Sequence, residues 1–132
     1  MIADGFNANA EIMNNIILAP ASETGLLCNP FYNYGPPIVQ FNDAFSVTGT
    51  SYSGSCTGFG GTNGNISASP DFLSRTNYQL QNGSPAINAG TNSAPDLRVK
   101  DFANHPQIVG GRIDMGAYEN QSGVPNQAAP AS

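Results

Sequence analysis

The first half of the chain consists of short apolar runs, each interrupted by one or two Asn or Asp residues. Residues 11–17 read EIMNNII and residues 38–44 read IVQFNDA, so a polar pair divides two apolar runs in both segments. Asn and Asp tolerate the left-handed backbone conformation that a sharp bend requires. The pattern therefore predicts units of two short strands joined by a bend. Few segments contain a run of good helix formers, which argues against helices.

These units recur at an interval of 28 residues, because Asn14 matches Asn42 and Cys28 matches Cys56 at that offset. A repeat of this size is typical of one coil of a solenoid, whose apolar face is buried only by stacking on its neighbours. Amide side chains at one position of successive coils can form a hydrogen-bonded ladder. A chance echo is the alternative. The residues predicted to form the bends and the ladder are Asn14, Asn15, Asn42, Asp43 and Asn65.

The two cysteines share one phase of this repeat. Equivalent positions in stacked strands lie about 4.8 Å apart, and a disulfide requires Cα atoms about 4.4–6.8 Å apart. We therefore predict a disulfide between Cys28 and Cys56 that joins adjacent coils, with two buried free thiols as the alternative. A disulfide would agree with an extracellular location.

Composition indicates a folded, loop-rich and mostly β chain. Charged residues make up 10% of the 132 residues, and the chain contains 15 Gly and 10 Pro. Disorder is disfavoured, since 39% of the residues are hydrophobic and the chain carries 7 Phe and 5 Tyr. A length of 132 residues allows one domain with a modest core.

Charge and hydropathy exclude several partners. The net charge is −5 with only four Lys and Arg residues, so no basic surface is expected for nucleic acid. No apolar run approaches the roughly 18 residues that span a bilayer. The first residues lack the features of a signal peptide, so the chain is expected to be a mature or excised piece of a longer protein. Residues 121–132 are rich in Ala, Gln and Pro and are predicted to be a linker-like tail.

Two compact motifs lie in the last third of the chain, GSPAINAG at residues 83–90 and IDMGAYE at residues 113–119. Together with the strand–Asn–strand units and the segment GNISASPDF at residues 64–72, they resemble the C-terminal segment of secreted bacterial parallel β-helix proteins. These are the pectin-lyase-like proteins, and the segment is called the choice-of-anchor Q domain. The ordered set of motifs covers about residues 9–119.

The resemblance implies a right-handed parallel β-helix of about three coils with a C-terminal capping segment. Coils are expected over residues 1–77, the end segment of the same domain over residues 78–120, and the tail over residues 121–132. The resemblance also implies an extracellular or cell-surface location, in bacteria. Asp101, Asp114 and Glu119 are expected to be structural residues of the end segment.

The chain departs from the family pattern at two places in this end segment. Asn88 stands where family members commonly have Asp, and residues 101–107 lack the Arg that they tend to carry. An ion pair of that Arg with the acid at Asp114 is therefore in doubt, and Arg112 is the candidate to replace it.

Parallel β-helices often carry polysaccharide lyases and glycosidases, which need a base or a pair of carboxyl groups. Asp43 and Asp71 share one phase of the repeat and form the best candidate pair, but both adjoin turns, where Asp is common. The basic residues all lie after residue 74, away from the repeated strands. His105 has no evident triad partner, so it is interpreted as a loop residue. We therefore expect no catalytic residue in this chain.

Two further ligand types, a calcium ion and a sugar, have candidate residues in the sequence. Asp96, Asp101 and Asp114 could gather around calcium, but they lack the spacing of an EF-hand loop, and no metal site or cofactor is predicted. The aromatic residues that cluster by phase could stack on sugar rings, although a role in covering the core is favoured. These residues are Phe31, Tyr32, Tyr34, Tyr52 and Phe59.

The function expected from the sequence is a non-catalytic structural or assembly module of a secreted or cell-surface β-helix protein. Its partners would be further copies of itself, forming extracellular polymers, or the contiguous β-helix of a longer parent. The alternative is a polysaccharide-binding or polysaccharide-degrading β-helix fragment. No nucleic acid and no membrane span are expected.

Overall fold

A computed structural model describes residues 1–3, 10–29 and 37–122, and these residues form an all-β structure without helices. Within them, no helix exists that could cross a membrane. The strands are β1 (Ile2–Ala3), β2 (Glu11–Met13), β3 (Ile16–Ala19), β4 (Leu26–Cys28), β5 (Ile38–Gln40), β6 (Asp43–Ser46), β7 (Tyr52–Gly54), β8 (Ile108–Val109) and β9 (Arg112–Ile113). Phe31, Tyr32, Tyr34 and residues 123–132 of the predicted tail lie outside the described residues.

The strands of the first half pair in parallel with the strands that follow one pass later. β2 pairs with β5, β3 pairs with β6, and β4 lies between β1 and β7. The chain therefore visits three sheets in the same order twice. Such parallel pairing between segments distant in sequence buries the apolar residues of one pass against those of the next.

The register of these pairs differs from the predicted 28-residue interval. Ile16 pairs with Asp43, an offset of 27, and Leu26 pairs with Tyr52, an offset of 26. The matches of Asn14 with Asn42 and of Asp43 with Asp71 are therefore out of register by one or more residues. Asp43 instead bridges Ile66. The loops between strands differ in length from pass to pass, which a single sequence offset does not reproduce.

The first core cluster lies between the three sheets and contains the disulfide. Leu26, Val39, Ala44 and Tyr52 are its buried members beside the two cysteines. The predicted disulfide between Cys28 and Cys56 is confirmed, with a Cα–Cα distance of 5.4 Å. Because Cys28 pairs with Gly54 in the sheet, the bridge reaches the first turn after β7 rather than the residue directly opposite.

The second core cluster joins the end segment to the outer side of the passes. Leu80, Ala86, Ile87 and Met115 pack there against side chains that come from successive passes, namely Ile16, Phe41 and Ile66. The two sequence motifs are neighbours in this cluster, since the Met115 N–H donates to the Ala86 carbonyl. The end segment thus lies along the side of the passes and contacts all of them, not only the last one.

Candidate functional site

A row of three Asn side chains links the successive bends. Asn15 donates from its main-chain N and its Nδ2 to Asn42 Oδ1, at 3.1 and 3.0 Å. Asn42 repeats this arrangement with Asn65 Oδ1, at 3.1 and 3.2 Å. We call Asn15, Asn42 and Asn65 the amide row. Asn42 and Asn65 are buried, so these bonds satisfy polar groups that water does not reach.

The left-handed residue of each bend lies next to the row, not in it. Positive φ values occur at Asn14 (59°), Phe41 (55°) and Gly64 (75°), each of which directly precedes a member of the row. Phe41 is an unusual residue in this conformation, because its side chain crowds the backbone. Asn14 uses its side chain elsewhere: Nδ2 donates to the Thr91 carbonyl and Oδ1 accepts from the Thr91 N–H. Asn14 thereby fastens the end segment to the first bend.

The three acids of the end segment form a second polar cluster. Asp101, Asp114 and Glu119 are 8, 2 and 4% exposed, respectively. Asp101 Oδ2 accepts from the Glu119 N–H at 3.0 Å, and Glu119 Oε2 accepts from the Asp114 N–H at 2.8 Å. Their remaining oxygens accept from further main-chain N–H groups, such as the Asn120 N–H at Asp114 Oδ2. These carboxylates therefore stabilise loops that lack regular secondary structure.

Arg112 does not form the ion pair with Asp114 that was expected as a replacement for the missing Arg. Its Nε donates to the Gly90 carbonyl, and its guanidinium lies over the Phe41 ring at 5.5 Å from the centroid. The Asp114 carboxylate is satisfied by main-chain groups instead, including the Asn88 N–H at 2.7 Å. Main-chain donors thus replace the ion pair at this position.

Burial changes the protonation of two acids. Removal from water raises the pKa of Glu119 to about 7; hydrogen bonds from main-chain N–H groups oppose the shift, and the carboxylates of Asp114 and Asp101 add to it. Burial likewise raises the pKa of Asp43 to about 6, with an opposing hydrogen bond from Ala68 and repulsion from Asp71. Both acids therefore hold a proton in the folded protein at pH values where the unfolded chain has released it.

We expect the protein to become less stable as pH rises from about 5 to about 8, because the folded state then loses protons that the unfolded state no longer binds. The melting temperature at several pH values, followed by circular dichroism, measures this slope. Glu119→Gln should flatten the slope, whereas replacement of the exposed Asp96 by Asn should leave it unchanged. A melting temperature that increases over the same pH interval would contradict the expectation.

A groove of about 950 Å³ lies on the outer face of the β3–β6 sheet. Because side chains alternate along a strand, Ile16, Leu18 and Phe45 share this face and form the floor of the groove. Leu18 is 49% exposed, and Val47, just beyond the end of β6, is 66% exposed. Exposed apolar side chains that are grouped in this way indicate a surface for a ligand or another macromolecule.

Two aromatic pairs from different loops form the sides of this groove. Phe72 and Tyr78 pack edge to face at 5.3 Å, and Phe102 and Tyr118 do so at 5.6 Å. Phe102 is 79% exposed and Tyr78 57% exposed, so parts of both pairs are open to a ligand. Asp71 and Arg75 add one charge of each sign to the lining.

Asp43 lies on the same face of the β3–β6 sheet as the groove floor, two residues before Phe45, but its side chain is buried. It pairs with Ile16, its Oδ1 accepts from the Ala68 N–H at 3.0 Å, and its exposed fraction is 0%. Its Oδ2 accepts no hydrogen bond from any residue that the structure describes. Asp71 is exposed at the groove, so only one member of the candidate carboxylate pair faces solvent. Two-carboxyl hydrolysis needs both groups beside the substrate, and this arrangement does not offer them.

The remaining candidate residues do not gather into a site. His105 is exposed in a loop, and Asp96 is also exposed while Asp101 and Asp114 are buried. In the part of the chain that the structure describes, no group of three His, Cys, Asp or Glu residues could hold a metal ion. Tyr52 and Phe59 are not a sugar-stacking surface, since Tyr52 is 5% exposed and Phe59 packs against the core.

No family model, curated protein or solved structure matches this chain. The groove is therefore proposed as the candidate functional surface on the basis of its geometry alone. Sequence reasoning missed the groove, because its aromatic residues lie in loops without periodicity. The spacing of Phe72, Tyr78, Phe102 and Tyr118 contains no signal that would bring them together.

Proposed function

We propose that the protein is a non-catalytic structural module of a secreted or cell-surface protein, built as a short right-handed parallel β-helix of about three coils. The observation that carries this proposal is the parallel pairing of β2, β3 and β4 with β5, β6 and β7 in the same order. Stacked coils form such pairs. The amide row and the disulfide both join adjacent passes and support the same architecture.

The chemistry of the described residues supports a structural role over catalysis. The buried acids Asp101, Asp114 and Glu119 use their oxygens to hold main-chain N–H groups. Asp43 is fully buried, which leaves Asp71 as the exposed carboxylate of that pair. Cys28 and Cys56 are buried and joined by a disulfide. Disulfides persist in oxidising compartments, which supports an extracellular location.

Incubation with uronate polysaccharides tests the non-catalytic role. We expect no unsaturated products by ultraviolet absorbance and no new reducing ends. Turnover that is lost in Asp71→Asn but retained in Asp96→Asn would overturn the proposal, because both acids are exposed and only Asp71 lines the groove.

Polysaccharide binding without turnover is a second candidate, and the groove is the observation that favours it. Exposed aromatic rings offer apolar faces to sugar rings, and Asp71 and Arg75 offer polar partners at the same surface.

If the groove binds a glycan, Tyr78→Ala and Phe102→Ala should each weaken binding about tenfold. Val99→Ala is the matched control, since Val99 is 86% exposed and does not line the groove. Equal losses in all three variants would contradict binding at the groove.

A further inference from the structure

The groove on the outer face of the β3–β6 sheet combines an apolar floor with one charge of each sign. Leu18 and Phe45 belong to the floor, and Val47 continues it. Among the described residues that line the groove, the charged ones are Asp71 and Arg75, and both are exposed. A ligand therefore meets apolar side chains, one charged acceptor and one charged donor at the same surface.

The aromatic sides of the groove are held in place by hydrogen bonds within the protein. Phe72 forms an antiparallel bridge with Leu80, and Gln81 Nε2 donates to the Phe72 carbonyl at 2.9 Å. On the other side, the Phe102 N–H donates to the Ala117 carbonyl at 3.0 Å. Because these loops are fixed before a ligand arrives, binding orders few further groups. The groove is therefore preorganised for a ligand that stacks on aromatic rings.

The charges at the groove favour a neutral ligand. The Arg75 guanidinium and the Asp71 carboxylate offset each other in the lining, and the whole chain carries a net charge of −5. An acidic polymer would be repelled by this net charge. A cationic polymer would place its ammonium groups against the apolar floor, which removes them from water at a cost. A glycan without charged groups avoids both penalties.

An N-acetylated sugar matches the remaining chemistry of the groove. A sugar ring with equatorial substituents presents an apolar face of C–H groups, which can stack on the exposed rings of Tyr78 and Phe102. The acetamide group supplies a methyl group for the floor, an N–H donor for Asp71 and a carbonyl acceptor for Arg75. A sugar that carries only hydroxyl groups would place polar atoms against the floor instead.

We propose that the groove binds a neutral, chitin-type glycan of β-linked N-acetylglucosamine. An acetamide methyl group lies on the floor, and the N–H and C=O of the same acetamide bond to Asp71 and Arg75. The inference rests on the glycan-binding candidate for this groove and names the class of its ligand. A module that binds in this way attaches to the glycan without cleaving it.

Titration calorimetry with three hexasaccharides tests the ligand class. Chitohexaose and cellohexaose share a β-linked backbone and differ in the acetamide, whereas hexagalacturonate carries carboxylates. We expect chitohexaose to bind at least about fivefold more tightly than cellohexaose, because the floor buries its methyl groups, and hexagalacturonate to bind most weakly. Equal binding of chitohexaose and cellohexaose would overturn the role of the acetamide. Tightest binding of hexagalacturonate would overturn the neutral ligand.

Asp71→Gly removes the proposed acceptor and keeps the backbone conformation, since Asp71 has a φ of 51°, which glycine adopts readily. We expect chitohexaose to bind about fivefold more weakly, with a smaller loss for cellohexaose. Asp96→Gly is the matched control, because Asp96 has a φ of 57°, is exposed and does not line the groove. Equal losses in the two variants would show that Asp71 does not hold the acetamide.

Val47→Ser tests the floor without disturbing the core, because Val47 is 66% exposed. We expect the preference for chitohexaose over cellohexaose to fall about twofold or more, since the methyl group loses an apolar contact. Val99→Ser is the control, because Val99 is 86% exposed and lies outside the groove. An unchanged preference in Val47→Ser would overturn the position of the methyl group on the floor.

The fold of the module is tested independently of the glycan. If none of the hexasaccharides binds, both the ligand class and the glycan-binding candidate are overturned. The structural module depends instead on hydrogen-exchange protection of β5 and β6 in the unmodified protein, whose absence would refute the stacked passes. Self-association in sedimentation that Phe102→Ala abolishes would show that a second copy covers the groove and would overturn the glycan as its occupant.

Discussion

Asn42→Ala is expected to lower the free energy of unfolding by about 3 kcal/mol or more, because it leaves several buried main-chain groups without partners. Asn42 Nδ2 donates to the carbonyls of Ile12 and Gln40 at 2.7 and 3.0 Å, and Oδ1 accepts from the Asn15 N–H. The side chain is 0% exposed, so water does not replace these bonds. Urea unfolding followed by circular dichroism measures the loss.

Asn42→Asp removes the Nδ2 donor of the side chain and keeps its oxygen acceptor. The carboxylate keeps the acceptor for Asn15 but places a buried charge against two carbonyl oxygens, so we expect a loss at neutral pH at least as large as with alanine. Asn63→Gly is the control, because Asn63 is exposed and its φ of 51° suits glycine. A loss with Asn42→Ala no larger than in this control would show that the amide row does not support the fold.

Removal of the disulfide by Cys28→Ala with Cys56→Ala is expected to cost about 3 to 4 kcal/mol. The bond closes a loop with a sequence separation of 28 residues, so its loss increases the conformational freedom of the unfolded chain. Both residues are essentially inaccessible, at 0 and 1% exposed, so the lost sulfur contacts add to the effect. Chemical unfolding of oxidised wild type and of the double variant measures the difference.

The reduced wild-type protein provides the matched control for this prediction. After unfolding, reduction and refolding under reducing conditions, its stability should approach that of the double alanine variant to within about 1 kcal/mol. Without denaturant, reduction should be slow, because neither cysteine is reachable from solvent. A double variant that is as stable as the oxidised protein would contradict the prediction.

The disulfide could be predicted from sequence because it depends only on the spacing between neighbouring stacked strands. Stacked strands place equivalent positions close together, and Cys28 and Cys56 are near enough to equivalent positions for the bond to form. The register itself could not be read from the same echo. Each pass has loops of its own length, so the paired offsets are 27 and 26 residues.

The bends illustrate a second limit of the sequence pattern. Asn pairs predicted sharp bends, but the pattern did not show which residue adopts the left-handed conformation and which one bonds to its neighbour. In the structure Asn14 and Phe41 have positive φ, whereas Asn15 and Asn42 form the row. Phe41 tolerates this conformation in the setting of its packing against the end segment and beneath Arg112. Such a choice depends on contacts between distant segments.

The sequence by itself determined the all-β class, the strand–Asn–strand units and the pairing of the two cysteines, because these depend on local propensity, periodicity and spacing. Only the tertiary structure decided the register, the burial of Asp43 and the groove between Phe72, Tyr78, Phe102 and Tyr118. It also decided that the end segment lies along the side of the passes. These features arise where loops of irregular length fold back on the strands, and no periodic pattern encodes where such loops meet.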